Sequence, residues 1–343
     1  MWKSYIEPVW QGEIIENETL MFIENEDGTC DEAPLLYNPT EVISVKNSGL
    51  DIEYKRGVDY EVTETGIKRL SDKIFAWKYD KYYLSEKIED ASMEKFDGNF
   101  LYFGEKTTFT ATQVAVTYKH KPSNFLFVPQ KEEGKLPIVR KKLANSEPLK
   151  IVCFGDSISA RSNVSGADFI NVPPYMPGWD LLAAMGLEQK YGSKCEVINT
   201  AVGGKDAQWG VEEVKERVCK YNPDLVFLGF GMNNATTSPA EYKRLTKKTI
   251  DIIKEDCPDA EIVLISTMLP NSLLKNFWGN QQYFEHELIR LATNCDYLTV
   301  APMTTMHRAL LQRKRYFDMT GNNVNHPNDF LARVYAQTIL NVI

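Results

Sequence analysis

Ser157 closes the stretch IVCFGDS, two residues after Gly155 ends the apolar run 151–154. A serine hydroxyl held at the end of a buried strand can attack a carbonyl carbon, provided a base takes its proton. The same serine can equally cap the helix that follows, because Ser and Asp are both good N-caps. Histidine suits the role of base, since its ordinary pKa lies near neutrality. The chain has four: His120, His286, His307 and His326. His120 ends a strand-like run and is expected at the surface, while His286 and His307 lie in helical stretches as solvated or packing positions. Only His326 lies in a Gly/Asn-rich loop, DMTGNNVNHPND, ahead of a last helix. No HxH or HxxxH spacing occurs, so neither a metal site nor a cofactor is expected.

These residues need a scaffold, and the chain changes grammar to supply one. From residue 149 onward, apolar β-like runs at 149–154, 195–199, 224–229, 261–266 and 297–300 alternate with amphipathic stretches such as DAQWGVEEVKERVCKY and EYKRLTKKTIDIIKEDC. Apolar strands separated by helices predict a parallel sheet covered on both faces. In such sheets ligands bind beyond the carboxyl ends of the strands. There the sequence reads GDS, NTAVGGKD, GFGMNN and STMLPN in turn, so polar and glycine residues gather where a site belongs.

Residues 1–128 read differently. Short alternating runs such as EVISVKN and TQVAVTYKH, punctuated by turn signals, predict a β-sandwich whose strands share one core. The aromatics there (Phe100, Tyr102, Phe103, Phe109, Tyr118, Phe125 and Phe127) read mostly as core. Residues 129–147, charged and proline-containing, suit a linker. The expected division is therefore an accessory domain over 1–147 and a catalytic domain over 148–343.

Bulk properties exclude several functions. With 343 residues and a formal net charge of −8, the chain lacks the basic face that a nucleic-acid partner needs. No apolar run is long enough to span a bilayer. The N-terminus carries early acids and no apolar h-region, so a cytoplasmic location is expected if Met1 is the native start. The six cysteines are scattered without a CxxC pair and read as reduced, structural residues.

Taken together, the blocks over about 148–343 resemble the SGNH hydrolases, also called GDSL-type esterases. Gly155-Asp156-Ser157 matches the nucleophile block, Asn199 with Gly204 the second, Gly231-Met232-Asn233 the third, and His326 the last. The resemblance implies a flavodoxin-like three-layer α/β/α domain and a serine esterase with Ser157 as nucleophile and His326 as base. It also implies an oxyanion hole from the backbone N–H groups of Ser157 and Gly204 and the Asn233 amide. Two positions depart from the pattern. Asn234 replaces the usual Asp of the third block and reads as a loop brace. Asn323 stands where the family has the acid that orients the histidine. Three readings follow: a backbone or amide oxygen orients His326 in a dyad, Asp318 or Asp329 replaces the acid, or the protein is a weakly catalytic carbohydrate binder. The dyad is the favoured expectation.

A β-sandwich before such a domain is similar to the arrangement of carbohydrate esterases that remove acetyl groups from plant polysaccharides, which makes the sandwich jelly-roll-like. The implied substrate is a small-molecule or oligosaccharide ester. A short-chain lipase or thioesterase is the alternative within catalysis. Asp156, Tyr175, Trp179 and Trp209 are candidate substrate contacts, the aromatic ones as sugar platforms.

Overall fold

The computed structural model describes residues 2–123 and 126–343. Met1 and Phe125, both used in the sequence reading, lie outside them.

The C-terminal part is built on a five-stranded parallel sheet. After the N-terminal strands β1 (Ile14–Leu20), β2 (Pro39–Asn47) and β3 (Val114–His120), its strands are β4 (Leu149–Gly155), β5 (Cys195–Asn199), β6 (Leu225–Gly229), β7 (Glu261–Ile265) and β8 (Leu298–Ala301). The spatial order is β5-β4-β6-β7-β8, with β4 placed between β5 and β6. The order reverses beside β4, and a doubly wound sheet binds its ligand at such a switch point.

Side-chain alternation along these strands divides the core in two. Ile151, Cys153, Leu225, Phe227, Val263 and Ile265 belong to one buried cluster, and Val152, Phe154, Val226, Leu228, Ile262 and Leu264 to the other. Because successive strand residues point to opposite faces, an unbroken apolar run can feed both layers. Helices α2 (Trp179–Tyr191), α6 (Met303–Leu310) and α7 (Asp329–Val342) cover the first face. Helices α3 (Ala207–Arg217), α4 (Pro239–Asp256) and α5 (Gln281–Ala292) cover the second. Several helix starts are written in the sequence. Asp206 caps α3 through Trp209 N at 2.9 Å, Ser238 precedes Pro239 at the start of α4, and Asn328 caps α7 through Leu331 N at 3.1 Å.

The expected linker is not a loop throughout. Residues Pro137–Ala144 form α1, whose Val139 and Leu143 are buried. Proline at the first turn lacks the N–H that would be unpaired there, and the Glu261 carboxylate accepts from Ile138 N at 3.0 Å and Val139 N at 2.7 Å. Local charge concealed an amphipathic turn whose cap comes from a distant strand.

The N-terminal part is mainly antiparallel. β1 (Ile14–Leu20), β2 (Pro39–Asn47) and β3 (Val114–His120) pair in the order β1-β3-β2. Small three-stranded sheets form from Ala33–Pro34, Tyr60–Val62 and Gly66–Arg69, and from Tyr83–Leu84, Ser92–Glu94 and Phe100–Tyr102. Its core is continuous with the α/β layer, since Ile15, Leu20, Val116 and Tyr118 share a cluster with Leu331 and Tyr335 of α7. His120 is not at the surface. It is 5% exposed and stacks on Tyr37 at 4.0 Å, because β3 lies between two strands with its end covered.

The two parts are joined by polar bonds as well as apolar ones. Glu18 of β1 and Lys314 form a fully buried ion pair at 2.5 Å, and Tyr118 Oη donates to the other Glu18 oxygen at 2.7 Å. Thr19 Oγ1 donates to Asp318 O at 2.6 Å, and Gln113 Nε2 to Thr320 O at 2.9 Å. These bonds anchor the segment leading to His326.

Candidate active site

Ser157 lies on the turn that leaves the carboxyl end of β4. The close pairing of Gly155 with Gly229 brings that turn against β6, where a Cβ on Gly155 would meet Gly229 O at 2.2 Å. The turn is braced from below by Asp156, which is 1% exposed and accepts from Ile158 N at 3.0 Å and Met232 N at 3.3 Å. Burial pushes the Asp156 carboxyl up to about 6, against the pull of those backbone N–H groups and of His326. Asp156 is thus enclosed beneath the site and is not placed to contact a substrate.

His326 meets this turn from the loop before α7. Its Nε2 stands 2.8 Å from Ser157 Oγ. Both residues are buried, at 8% and 5% exposure. On the far side of the ring, Nδ1 lies 2.6 Å from Asn163 Oδ1 and 3.0 Å from Asn322 Nδ2. Neighbouring carbonyls and N–H groups fix which way both amides point. Asn163 Nδ2 donates to Lys106 O at 2.7 Å and Gly321 O at 3.2 Å, so its oxygen must face the ring. Asn322 Oδ1 accepts from the backbone of Val324, Asn325 and His326, so its other amide atom is the nitrogen, whose two hydrogens go to Glu105 Oε1 at 3.1 Å and Asn325 Oδ1 at 3.0 Å rather than to the ring. With Asn163 Oδ1 the acceptor at 2.6 Å, the proton sits on Nδ1 and is given to Asn163, and the Nε2 lone pair faces Ser157.

The loop carrying Asn163 follows Ser157 directly. Arg161 and Asn163 both have positive φ, 65° and 64°. Arg161 is held there by a paired contact with buried Asp180, at 2.9 and 2.7 Å. Asn199 ties the same region together, donating to Ser159 O at 2.9 Å and Asp180 Oδ2 at 2.8 Å.

None of the three residues expected to orient the histidine touches it. Asn323, with φ of 69°, turns away: its Oδ1 accepts from Tyr82 Oη at 2.7 Å and its Nδ2 donates to Tyr102 O at 3.0 Å. Asp318 is spent on Met21 N and Arg315. Asp329 binds Ser165, at 2.8 Å to its N and 2.6 Å to its Oγ. Instead an amide oxygen from Asn163 faces the ring, and a carboxylate from the N-terminal part, Glu105, brings Oε2 to 3.4 Å from Nδ1. No spacing motif announces either residue, because both are brought to His326 by loop geometry.

The remaining candidates divide. Gly204 sits at φ 74°, with nothing within 4 Å of where a Cβ would stand, and Asn233 donates to Lys205 O at 2.9 Å. Asn234 braces the loop, accepting from Ala207 N at 3.1 Å and donating to Thr237 Oγ1 at 3.0 Å. Trp179 is not a platform: it is fully buried in α2 and donates to Ile158 O at 3.0 Å. Trp209 packs against Phe154 and Phe230 and lies under Arg217 and Lys205, so its ring is used in packing. Tyr175 is 53% exposed. His307 is fully buried, accepts from Leu269 N at 3.0 Å, and is pushed down to about 3 by burial. Among the described residues, no group of three or more His, Cys, Asp or Glu side chains could hold a metal ion.

Residues 151–309 match the family described as GDSL-like Lipase/Acylhydrolase. Over that span the chain is similar to the GDSL-type acylhydrolases. The matched span holds Ser157 and ends before His326. No curated protein matches the chain. Among solved structures it is similar to a two-domain esterase active on acetylated mannans, co-crystallised with mannopentaose, at 17% identity and TM-score 0.48. The match covers 62% of this chain and 53% of that one, so the chain spans about half of that esterase's length. It is also similar to an acetyl xylan esterase, AlAXEase, at 20% identity and TM-score 0.43, covering 56% of this chain and 98% of that one. A third is a member of the lipolytic protein G-D-S-L family from Veillonella parvula DSM 2008, at 20% identity and TM-score 0.45, covering 57% and 97%.

Proposed function

We propose that the protein removes short acyl groups, acetyl above all, from a carbohydrate through an acyl-enzyme on Ser157. The observation that carries this reading is the 2.8 Å contact between Ser157 Oγ and a His326 Nε2 whose tautomer is set from behind. As Ser157 attacks the acyl carbonyl, its proton passes to Nε2 and the carbonyl π electrons move onto oxygen. The oxyanion takes hydrogen bonds from the backbone N–H groups of Ser157 and Gly204 and from the Asn233 amide, which has a second N–H beyond the one given to Lys205 O. Collapse breaks the ester C–O bond, and the departing sugar hydroxyl takes the proton back from His326. A water then repeats the sequence and frees the acid.

A carbohydrate ester is favoured by a groove of about 340 Å3 that mixes hydroxyl and amide groups (Asn47, Ser48, Thr107, Thr110 and Ser165) with the apolar faces of Val172, Pro173 and Pro174. Ser165 is two residues from Asn163 and Thr107 two from Glu105. Polar groups set among apolar ones suit a sugar ring, which has both hydroxyls and a C–H face. Tyr175 is the one aromatic candidate left for a sugar face. In this reading residues 1–147 form a jelly-roll-like β-sandwich unit beside a catalytic unit over 148–343.

Ser157→Ala is expected to abolish ester hydrolysis, and a fluorophosphonate should label Ser157 and no other serine. Turnover above about a tenth of the parent rate in that variant ends the assignment, since loss of a serine nucleophile costs many orders of magnitude. Acetyl esters should be cleaved well and chains beyond about six carbons poorly, as the sequence carries no run that marks an acyl tunnel to bury them. Faster cleavage of decanoyl than of acetyl esters would move the protein to the lipases or thioesterases.

A further inference from the structure

The acid that a serine–histidine pair ordinarily needs is absent from the His326 loop, yet a carboxylate does stand at the imidazole. Glu105 belongs to the N-terminal part, on the turn 104–108. Its Oε2 is 3.4 Å from His326 Nδ1, and its Oε1 accepts from Asn322 Nδ2 at 3.1 Å. Three bonds hold the turn in place: Thr108 N and Oγ1 both donate to Glu105 O, and Asn163 Nδ2 donates to the next carbonyl, Lys106 O. Asn163, Asn322 and Glu105 thus form one connected set around Nδ1.

The division of labour follows from charge. Asn163, at 2.6 Å, is the nearer acceptor and fixes the tautomer, but it is neutral. When Ser157 gives up its proton, the ring becomes an imidazolium, and a neutral amide offers it little compensation. Glu105 is the group that brings a negative charge to within hydrogen-bonding range. Burial pushes its carboxyl up, but hydrogen bonds and the charge of His326, with help from Asn322 and Asn163, leave it below the ordinary carboxylate value, so it is ionised at neutral pH.

We propose that Glu105 is the charged member of a divided triad, a positioning residue that stabilises the His326 imidazolium while Asn163 sets the ring's tautomer. The proposal rests on the Ser157–His326 reading above. It assigns the N-terminal part a share in the chemistry, since the esterase site is complete only when turn 104–108 is docked on it.

Glu105→Gln tests the charge, because it keeps the shape and an oxygen for Asn322. Its kcat on an aryl acetate should fall about 10- to 100-fold, less than the roughly 10⁴ of a buried triad acid, because the Glu105 side chain is 47% exposed and shares the ring with Asn163. KM should change little. The acid limb of kcat/KM, which reports protonation of the base in the free enzyme, should move to lower pH, since removing a nearby negative charge makes the imidazolium easier to deprotonate. The other charged group facing the ring is Asp156, whose titration is common to parent and variant, so the difference isolates Glu105. Glu105→Asp keeps the charge and should hold most of the activity with the limb unmoved.

Three results would overturn the proposal: parental kcat in Glu105→Gln, a loss of kcat with no movement of the limb, or an Asp variant as impaired as the Gln variant. Ser157→Ala and His326→Ala run alongside. If either keeps turnover, it is the esterase reading that fails. If both are inactive while Glu105→Gln is unaffected, that reading stands and the divided triad falls.

Discussion

At the residue scale, Asn163 decides which nitrogen of His326 is available, and it does so without carrying charge. Asn163→Ala leaves Nδ1 without its 2.6 Å partner, and we expect a kcat loss on the order of 10²-fold or more, by analogy with triads whose tautomer is no longer set. Asn163→Asp should retain far more activity than the Ala variant, since it restores an acceptor. A comparison of the two by steady-state kinetics checks this, and equal rates would remove Asn163 from the mechanism. Ser157 and His326 were legible in the sequence because strand-end position and loop composition mark them locally. Asn163 and Glu105 were not, since their meaning lies in the bonds to Lys106 O, Gly321 O and Asn322 that no spacing encodes.

His307 gives a second prediction at this scale, through stability. Its folded pKa is depressed to about 3 by burial, so below its ordinary value the unfolded chain takes up a proton that the folded chain refuses. Stability from this group is therefore present above about pH 6.5 and is lost as pH falls, by about 2 kcal/mol between pH 7 and 5. Asp156, pushed up to about 6, slopes in the opposite sense, with stability falling as pH rises from about 4 to 6. In His307→Gln, which keeps an acceptor for Leu269 N, the acid loss should shrink by that 2 kcal/mol relative to the parent in urea unfolding at the two pH values. An unchanged pH slope would place the titration elsewhere.

At the element scale, the parallel sheet was the most readable feature. The five apolar runs expected from residue 149 onward match β4 to β8 to within a residue or so at either end. The reason is physical: a strand buried on both faces must be apolar throughout, and glycine or polar residues must end it. The helix Pro137–Ala144 was hidden because its exposed face is basic and its N-terminal N–H groups are satisfied by Glu261, more than a hundred residues away. The short strands of the N-terminal part were legible only where alternation ran long, as in β2 and β3. One prediction belongs to β4. Gly155→Ala puts a Cβ 2.2 Å from Gly229 O and 2.4 Å from Ser159 Oγ, so β4 and β6 must separate at the site. We expect a loss of about 3 kcal/mol or more in urea unfolding, together with reduced fluorophosphonate labelling of Ser157. A variant as stable as the parent would mean that the turn yields without disturbing the sheet.

At the scale of the whole molecule, the N-terminal part supports the loop that carries His326. Tyr82 and Tyr102 hold Asn323, Gln113 holds Thr320, and an aromatic cluster containing Tyr82 and Phe109 packs under Val324. Residues 148–343 produced alone should therefore lack esterase activity even if the sheet forms, and an active fragment would contradict this dependence. Lys314→Met removes the ion-pair partner of Glu18 in a fully buried setting, which should cost about 3–5 kcal/mol of stability. The double change Glu18→Gln with Lys314→Met should recover part of it. These links were invisible in the sequence, because each joins residues whose local contexts give no sign of one another.

The Glu18–Lys314 pair also bears on the order in which the protein comes into being. A ribosome delivers the chain from its N-terminus, and domains generally fold as they emerge. Here β1 holds an acid whose cation follows 296 residues later, and Thr19 must wait 299 residues for the carbonyl of Asp318. The early sheet cannot close over Glu18 at low cost until the segment around Lys314 and Asp318 has been made. We expect nascent chains halted before residue 314 to remain protease-sensitive in their N-terminal segment and to gain resistance abruptly once α7 is released. Hydrolytic competence would then have to wait for that distant segment, however early the sheet strands emerge.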